Sequence, residues 1–511
     1  MVNIFKEKQN KITFFVFISL LFISLIPLFA TKVLPLYDYP NHMVRLHIIH
    51  NINTNPVLGQ FYTVNWQLLP NLAFDIIGLF FTMIFGADTA GRIFVGLIFI
   101  IISTGTVALH YALYKKVSPW ILIVFLFLYN EVLLVANLSY LFSVGFFLWV
   151  TALWIIFRKQ KTWVNIAVFS TITFLLFISH LYGFCLYGLV VVGYELKQHQ
   201  NAKKSFFRPS KYLILSIAQF VPSLLLYFFV SPTSTSAGSH RIGFASLIEK
   251  VISWSYIIDF YHPPLQLVVA CLLLLGGAYL IWRRDIVFAK DMLFSAIILF
   301  VAFLFAPTGI IGTYFVSQRL PVAITFFLIA CISIPHFNTR FRRIIPFAIS
   351  LLVIIHTGFI YSKWQSFQPI YEDFFNAMNK VERASTIITV IANNGSWHKT
   401  LEPSLLYASC FSVIEKPIFV SSLFVYKTQQ PLNVKPAYES LVVDGIIFTE
   451  GTLKQVQQEG ARSSRNPLQN DLLMKYDYVL IVNEEFFPFP ISDNFERKYA
   501  SEKIKLYQKK K

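Results

Sequence analysis

Apolar stretches of near-spanning length, separated by short polar turns, fill the first 361 residues of the chain. Runs at about 12–31, 93–114, 119–136, 139–157, 163–181, 182–195, 212–230, 264–282, 291–306, 321–335 and 344–361 predict about eleven transmembrane helices, since roughly 20 apolar residues cross a bilayer. The segment 163–195 must hold two of them, turning near Leu181-Tyr-Gly-Phe184 with hardly any loop. The first run follows Lys6, Lys8 and Lys11 and is too long for a cleavable signal, so it reads as an uncleaved helix with its N-terminus inside. Basic clusters then occur at every second turn: Lys115-Lys116, Arg158 to Lys161, Lys197 to Lys211, Arg283-Arg284 and Arg340 to Arg343. The positive-inside rule puts these turns in the cytoplasm. The alternation holds only if Leu72 to Ala87 does not span, so that stretch is expected to lie along the outer surface, with Asp75 and Asp88 near the headgroups.

The pattern changes after residue 361. Residues 362–511 alternate short apolar runs with Pro, Asn and charge, and an odd number of spans leaves them extracytoplasmic. Thr386 to Ile391, Gly445 to Thr449, Tyr478 to Val482 and Glu502 to Tyr507 read as strands and Leu453 to Glu459 as helix, which predicts a small α/β domain. The chain is thus expected to be an all-α polytopic membrane domain, 1–361, with a first outer loop at 32–92, followed by an α/β domain at 362–511. It would be a multi-pass protein of the cytoplasmic (inner) membrane.

Composition sharpens this picture. A chain of 511 residues that is 56% hydrophobic and carries 53 Phe has more apolar surface than a soluble core needs. The net charge of +17 would suggest nucleic acid, but residues 1–361 hold 25 Lys/Arg against 10 Asp/Glu while residues 362–511 hold 18 against 16. The excess sits in the membrane half, which removes nucleic acid as a partner. Four cysteines, three of them in apolar runs, exclude a disulfide-rich module or a Cys-based metal site. No Gly-rich P-loop, dinucleotide fingerprint, Gly-x-Ser-x-Gly or His-Glu-x-x-His occurs.

Candidate chemistry gathers at the outer ends of the spans. The first outer loop carries Asp38, His42, Arg45, His47 and His50. Pro40 suits the first turn of a helix that would set His42 and Arg45 on one face, with Asp38 either capping it or standing ahead of it as a reactive carboxylate. No recognised zinc spacing is present, whereas a divalent cation held by Asp38 and a second carboxylate stays open. Glu131, at the outer end of the third run, is either that second acidic group or a packing carboxyl bonded to Asn130 or Asn137. His180 ends the fifth run and could reach the same cavity. Arg319 opens the tenth from outside, where a guanidinium can grip phosphate or anchor to headgroups. The outer loop 231–263, with Arg241, either closes over a substrate or is a solvated linker.

The order of elements, an outer loop opening Leu36-Tyr-Asp-Tyr-Pro-Asn-His-Met-Val-Arg45, two surface helices, the stretch Phe85-Gly-Ala-Asp-Thr-Ala-Gly-Arg92, many further spans and an outer C-terminal domain, resembles the GT-C superfamily of integral-membrane glycosyltransferases. Within it the likeness is to the protein O-mannosyltransferase and aminoarabinose transferase group, in a bacterial branch. Tyr39 stands where many relatives carry a second acid. The resemblance implies transfer of a sugar, with inversion, from a polyprenyl-phosphate carrier to a lipid, glycan or protein acceptor. It implies that Asp38 is the acidic residue that engages the acceptor; from their own positions, Glu131 is expected to share the catalytic role and His42, Arg45, His180, Arg241 and Arg319 to bind substrate. A transporter or flippase of a lipid-linked saccharide, and a non-catalytic membrane scaffold, remain as alternatives. The first expects polar groups at mid-membrane on broken spans; the second leaves Asp38, Glu131 and Arg319 without a common purpose.

Overall fold

A computed structural model describes residues 8–203, 209–234, 242–309, 315–334, 339–392, 405, 407–443, 446–448, 472–482 and 491–511. The chain forms two compact units, Met1–Ala30 with Gln67–Ile77 and Arg92–Ser362, and Thr31–Trp66 with Gly78–Gly91 and Lys363–Lys511.

The first unit is helical. Among the described residues seven helical stretches are long and apolar enough to cross a membrane, from Lys11–Ala30 to Ile344–Met378, and Ala73–Phe85 and Val316–Cys331 are shorter apolar helices. Residues such as Phe22, Leu275 and Trp282 are exposed on them, as a lipid-facing surface requires. The protein is therefore a polytopic membrane protein. The run 163–195 divides as foreseen into Thr162–Ser179 and Leu181–Asn201, with His180 alone between them. Two other runs depart from a continuous helix. Residues 119–136 build a 3-10 helix, Pro119–Phe127, and a short helix, Glu131–Leu134, because Asn130 turns its side chain on the backbone: its Oδ1 accepts from Leu133 N at 3.0 Å and its Nδ2 donates to Phe127 O at 2.8 Å. Residues 212–230 break into Lys211–Ala218 and Val221–Phe229 just ahead of Pro222. Asp75, expected near the headgroups, is buried, and the face of Ala73–Phe85 that is exposed carries Ile76, Phe80 and Met83 instead.

Small residues set a close helix crossing. A Cβ on Gly145 of Leu138–Phe157 would come within 2.6 Å of the Ile101 and Ile102 backbone, and one on Gly105 of Ala87–Tyr114 within 2.7 Å of Gly145 O.

The second unit holds a sheet ordered Phe419–Val420, Thr386–Ala392, Tyr478–Val482, Ile504–Lys509, Phe495–Ala500, with Ile446–Phe448 also on the Thr386 strand. The Thr386 strand pairs parallel with Phe419–Val420, Ile446–Phe448 and Tyr478–Val482, while Ile504–Lys509 runs antiparallel to both its neighbours. All five residues of Tyr478–Val482 are buried, as expected of a central strand covered on both faces. The four strands read from the sequence are present; the helix expected at Leu453 to Glu459 lies outside the described residues. Helix Gln368–Met378 is tied to the sheet by Asp373, which accepts from Tyr499 Oη and Ser501 Oγ, each at 2.5 Å.

This unit also takes in most of the first loop. Tyr62–Val64 pairs antiparallel with Leu432–Val434, and Asn41 Oδ1 accepts from Phe424 N at 2.9 Å. Helix Tyr39–Asn51 packs against Ala408–Phe411.

Gly145→Leu is expected to force the two helices apart and cost about 1–3 kcal/mol, the usual penalty for overpacking. Thermal unfolding in detergent micelles should show a lowered Tm, and an unchanged Tm would mean the crossing can open at no cost.

Candidate functional site

In the second unit Asp38 stands directly before helix Tyr39–Asn51, half-buried, with φ −89° and ψ 0°. Its side chain makes no capping hydrogen bond, so the capping alternative read from the sequence does not describe it. Position comes instead from Pro40 in the first helical turn and from Tyr39, whose Oη donates to Asp88 O at 3.3 Å. The Tyr39 ring lies over Gly91, where a Cβ would come within 3.0 Å of Cζ. On the next turn Arg45, buried, donates from Nη2 to His42 Nδ1 at 3.1 Å, the i, i+3 pairing expected of the helix. That bond requires an imidazole with a free Nδ1 lone pair. His47 is bonded to Asn51, and burial, with the His50 charge beside it, lowers its pKa. Among the described residues no group of three or more His, Cys, Asp or Glu side chains could hold a metal ion.

In the first unit a second polar cluster forms. Glu131, the first residue of its short helix, and Asp259 are joined by a side-chain hydrogen bond. Asn130 is committed to backbone groups and Asn137, the other packing partner read from the sequence, lines the same small cavity as Glu131, while Asp259 is a neighbour the sequence did not suggest. Two bare carboxylates side by side repel each other. Asp259 is buried and held on all sides: its N–H donates to Tyr129 O at 3.0 Å, its Oδ1 accepts from Tyr261 N at 2.6 Å, and its carbonyl bonds His356 Nε2 at 2.7 Å. Asp259 was missed because it lies mid-loop, and no spacing in the sequence links it to Glu131.

A small cavity adjoins the pair, lined by Glu131, Asn137, Tyr256, Phe315, Gln318 and Arg319 among others. Arg319, in the first turn of Val316–Cys331, is buried with its guanidinium 5.8 Å from the Tyr140 ring centre and 5.9 Å from that of Tyr182. Tyr140 Oη donates to Arg319 O at 2.9 Å, which fixes the backbone beneath the cation. Phe315, at the mouth of the helix, has φ +60°, a left-handed conformation that costs a non-glycine residue about 1–3 kcal/mol and recurs at ligand sites. His180 caps Leu181–Asn201 through Nδ1, which accepts from Tyr182 N at 3.1 Å, and its ring rests 5.5 Å from that of Tyr140. It supports the aromatic walls beside Arg319 without lining the cavity. Arg241 lies outside the described residues. At about 10 Å³ the cavity has room for about one water, with the Arg319 guanidinium, the Asn137 and Gln318 amides, the Tyr256 phenol and the Glu131 carboxyl around it.

The membrane helices and the C-terminal sheet are similar in fold to those of a solved membrane protein. The crystal structure of ArnT from Cupriavidus metallidurans bound to undecaprenyl phosphate matches with a TM-score of 0.51, covering 98% of this chain and 98% of that one at 11% identity. At that identity the likeness is one of fold. No family model and no curated protein matches the sequence.

Two tests follow from the clusters. Asp259→Ala, which leaves Tyr261 N and Glu131 without their partner, should lower stability by about 1–3 kcal/mol, whereas Asp259→Asn, which keeps both bonds, should be nearly neutral in the same unfolding assay. For His47 the native state binds its proton more weakly than the unfolded chain, so its contribution to stability is full above 6.5 and lost as pH falls through the lowered native pKa. The fall in Tm on acidification should be shallower in His47→Gln than in the wild type; parallel curves would remove His47 as a source.

Proposed function

We propose that this protein is an integral-membrane glycosyltransferase that takes a sugar from a polyprenyl-phosphate carrier and delivers it, with inversion, to a lipid, glycan or protein acceptor on the extracytoplasmic face. The observation that carries the reading is the fold likeness along nearly the whole chain to ArnT, a protein crystallised with undecaprenyl phosphate. The buried guanidinium of Arg319 supports it, since its planar fork of donors suits a phosphate that leaves with its lipid.

In the proposed reaction the acceptor oxygen attacks the anomeric carbon from the face opposite the carrier. The new C–O bond forms as the bond to phosphate breaks, and the carrier departs as polyprenyl phosphate. Asp38 receives the hydroxyl proton, a general-base role worth about 10²–10⁴ in rate. Arg319 offsets the charge that grows on the leaving phosphate, a preorganised interaction that needs no rearrangement as the bond breaks. Glu131, through its bond to Asp259, orients the acceptor or a cation. His42 and Arg45 form the face of the helix that Asp38 precedes.

The test is transfer from a panel of radiolabelled polyprenyl-phosphate sugars by purified protein in lipid. Asp38→Asn should reduce turnover by about 10²–10⁴ with normal folding, and Arg319→Lys should raise the donor KM because Lys lacks the planar fork. Normal turnover in Asp38→Asn would remove the base, and no donor consumption by folded wild type would remove the reading.

A further inference from the structure

The short helix Leu247–Ile252 reverses the arrangement expected of a loop in water. Its cation points inward: Lys250 is buried, and its Nζ donates to Phe303 O at 2.8 Å and to Ala306 O at 2.9 Å, closing the carbonyl end of helix Leu293–Phe305. Its apolar residues point outward: Phe244, Leu247, Ile248 and Val251 are 69%, 73%, 72% and 66% exposed. The helix start is firmly built by a capping box between Ser246 and Glu249, with Ser246 N donating to Glu249 Oε2 at 2.6 Å and Glu249 N to Ser246 Oγ at 3.2 Å. The approach is pinned as well, by Thr308 N donating to Gly243 O at 2.7 Å. The outward display of large side chains is therefore held by both flanks.

Four large apolar side chains within eight residues form a patch of the kind that soluble surfaces avoid. This patch also continues another. Helix Leu293–Phe305, whose end Lys250 closes, exposes Ile297, Phe300, Val301 and Phe305, the last at 75%, as a lipid-facing helix does. The one charged side chain on the outer side of the short helix, Glu249, is bound into its own cap. A six-residue helix with apolar exterior and one carboxylate at its start fits the depth where acyl chains meet headgroups, about 5–10 Å in.

We infer that residues 242–252 are a membrane-inserted hook: the Phe244, Leu247, Ile248 and Val251 side chains enter the lipid leaflet at the acyl–headgroup boundary, and Lys250 fastens the hook to the end of Leu293–Phe305. The segment neither spans nor floats in water. It leads directly into Ser253–Ile257, which carries Tyr256 of the cavity, and on to Asp259. The inference stands independently of any reaction at that cavity.

Nitroxide labels test it. With Cys185 and Cys271, the two exposed cysteines, replaced by Ser, single Leu247→Cys and Val251→Cys variants are spin-labelled in full-length protein and placed in phosphatidylcholine/phosphatidylglycerol vesicles. Collision rates with oxygen, which partitions into lipid, and with a water-soluble nickel chelate are then compared. Oxygen rates several-fold above nickel rates at both sites are expected. Nickel rates equal to or above oxygen rates would place the helix in water, and low rates for both would mean that protein, such as a second copy of the chain, covers the patch; either overturns the hook. Should one variant fail to fold, Ile248→Cys carries the label.

Discussion

A polar group inside hydrocarbon has only the rest of the chain to bind, and much of the first unit is arranged around that fact. Arg158 and Glu195 meet in a buried bidentate ion pair whose carboxylate also accepts from Trp154 Nε1 at 2.9 Å, while the guanidinium lies 4.4 Å from the Tyr212 ring centre. Three helices are joined around this one pair. Arg92 donates to Leu28 O at 2.7 Å and Tyr129 Oη to Ser24 O at 2.7 Å, fastening the first helix to later ones. Ser103, Thr106 and Thr151 each return a hydroxyl to the carbonyl four residues back. Removing one partner of the Arg158 pair would strand a charge in the bundle, which is far more costly than never having had the pair.

Against that background the cluster around Glu131 stands apart. An acid whose bonded partner is another acid, beside a cation over two aromatic rings and a residue in left-handed conformation, is an arrangement that stability alone would not select. The short helix Glu131–Leu134 and the loop carrying Asp259 present these groups where a regular transmembrane helix would have satisfied its own backbone and hidden them.

The sequence revealed most of the architecture because it is governed by two strong patterns, apolar runs of spanning length and short apolar runs bounded by polar turns. The helix at Tyr39–Asn51, its His42–Arg45 pair and four strands of the sheet were legible for this reason. Interruptions were not. Asn130 within an apolar run looks like a tolerated polar residue until its side chain is seen on the Phe127 carbonyl. Asp75 looks like a surface charge because burial depends on neighbours far away in the chain. Asp259 is the clearest case: its importance comes from a bond to Glu131 across a long stretch of chain, and no local period records a contact of that kind. The pairing of Tyr62–Val64 with Leu432–Val434 was hidden in the same way.

That last pairing bears on how the protein is made. Tyr62 Oη accepts from Val420 N at 3.4 Å across 358 positions of sequence, and the strand that follows Tyr62 has its partner only in the C-terminal segment. At a synthesis rate of about 5–20 residues per second the early segment waits on the order of 20 s to more than a minute for that partner. During this interval Phe61 and Tyr62 have not yet met Phe419, against which they later pack. A truncation that removes Leu432–Val434 would therefore leave the strand Tyr62–Val64, made early, without its partner.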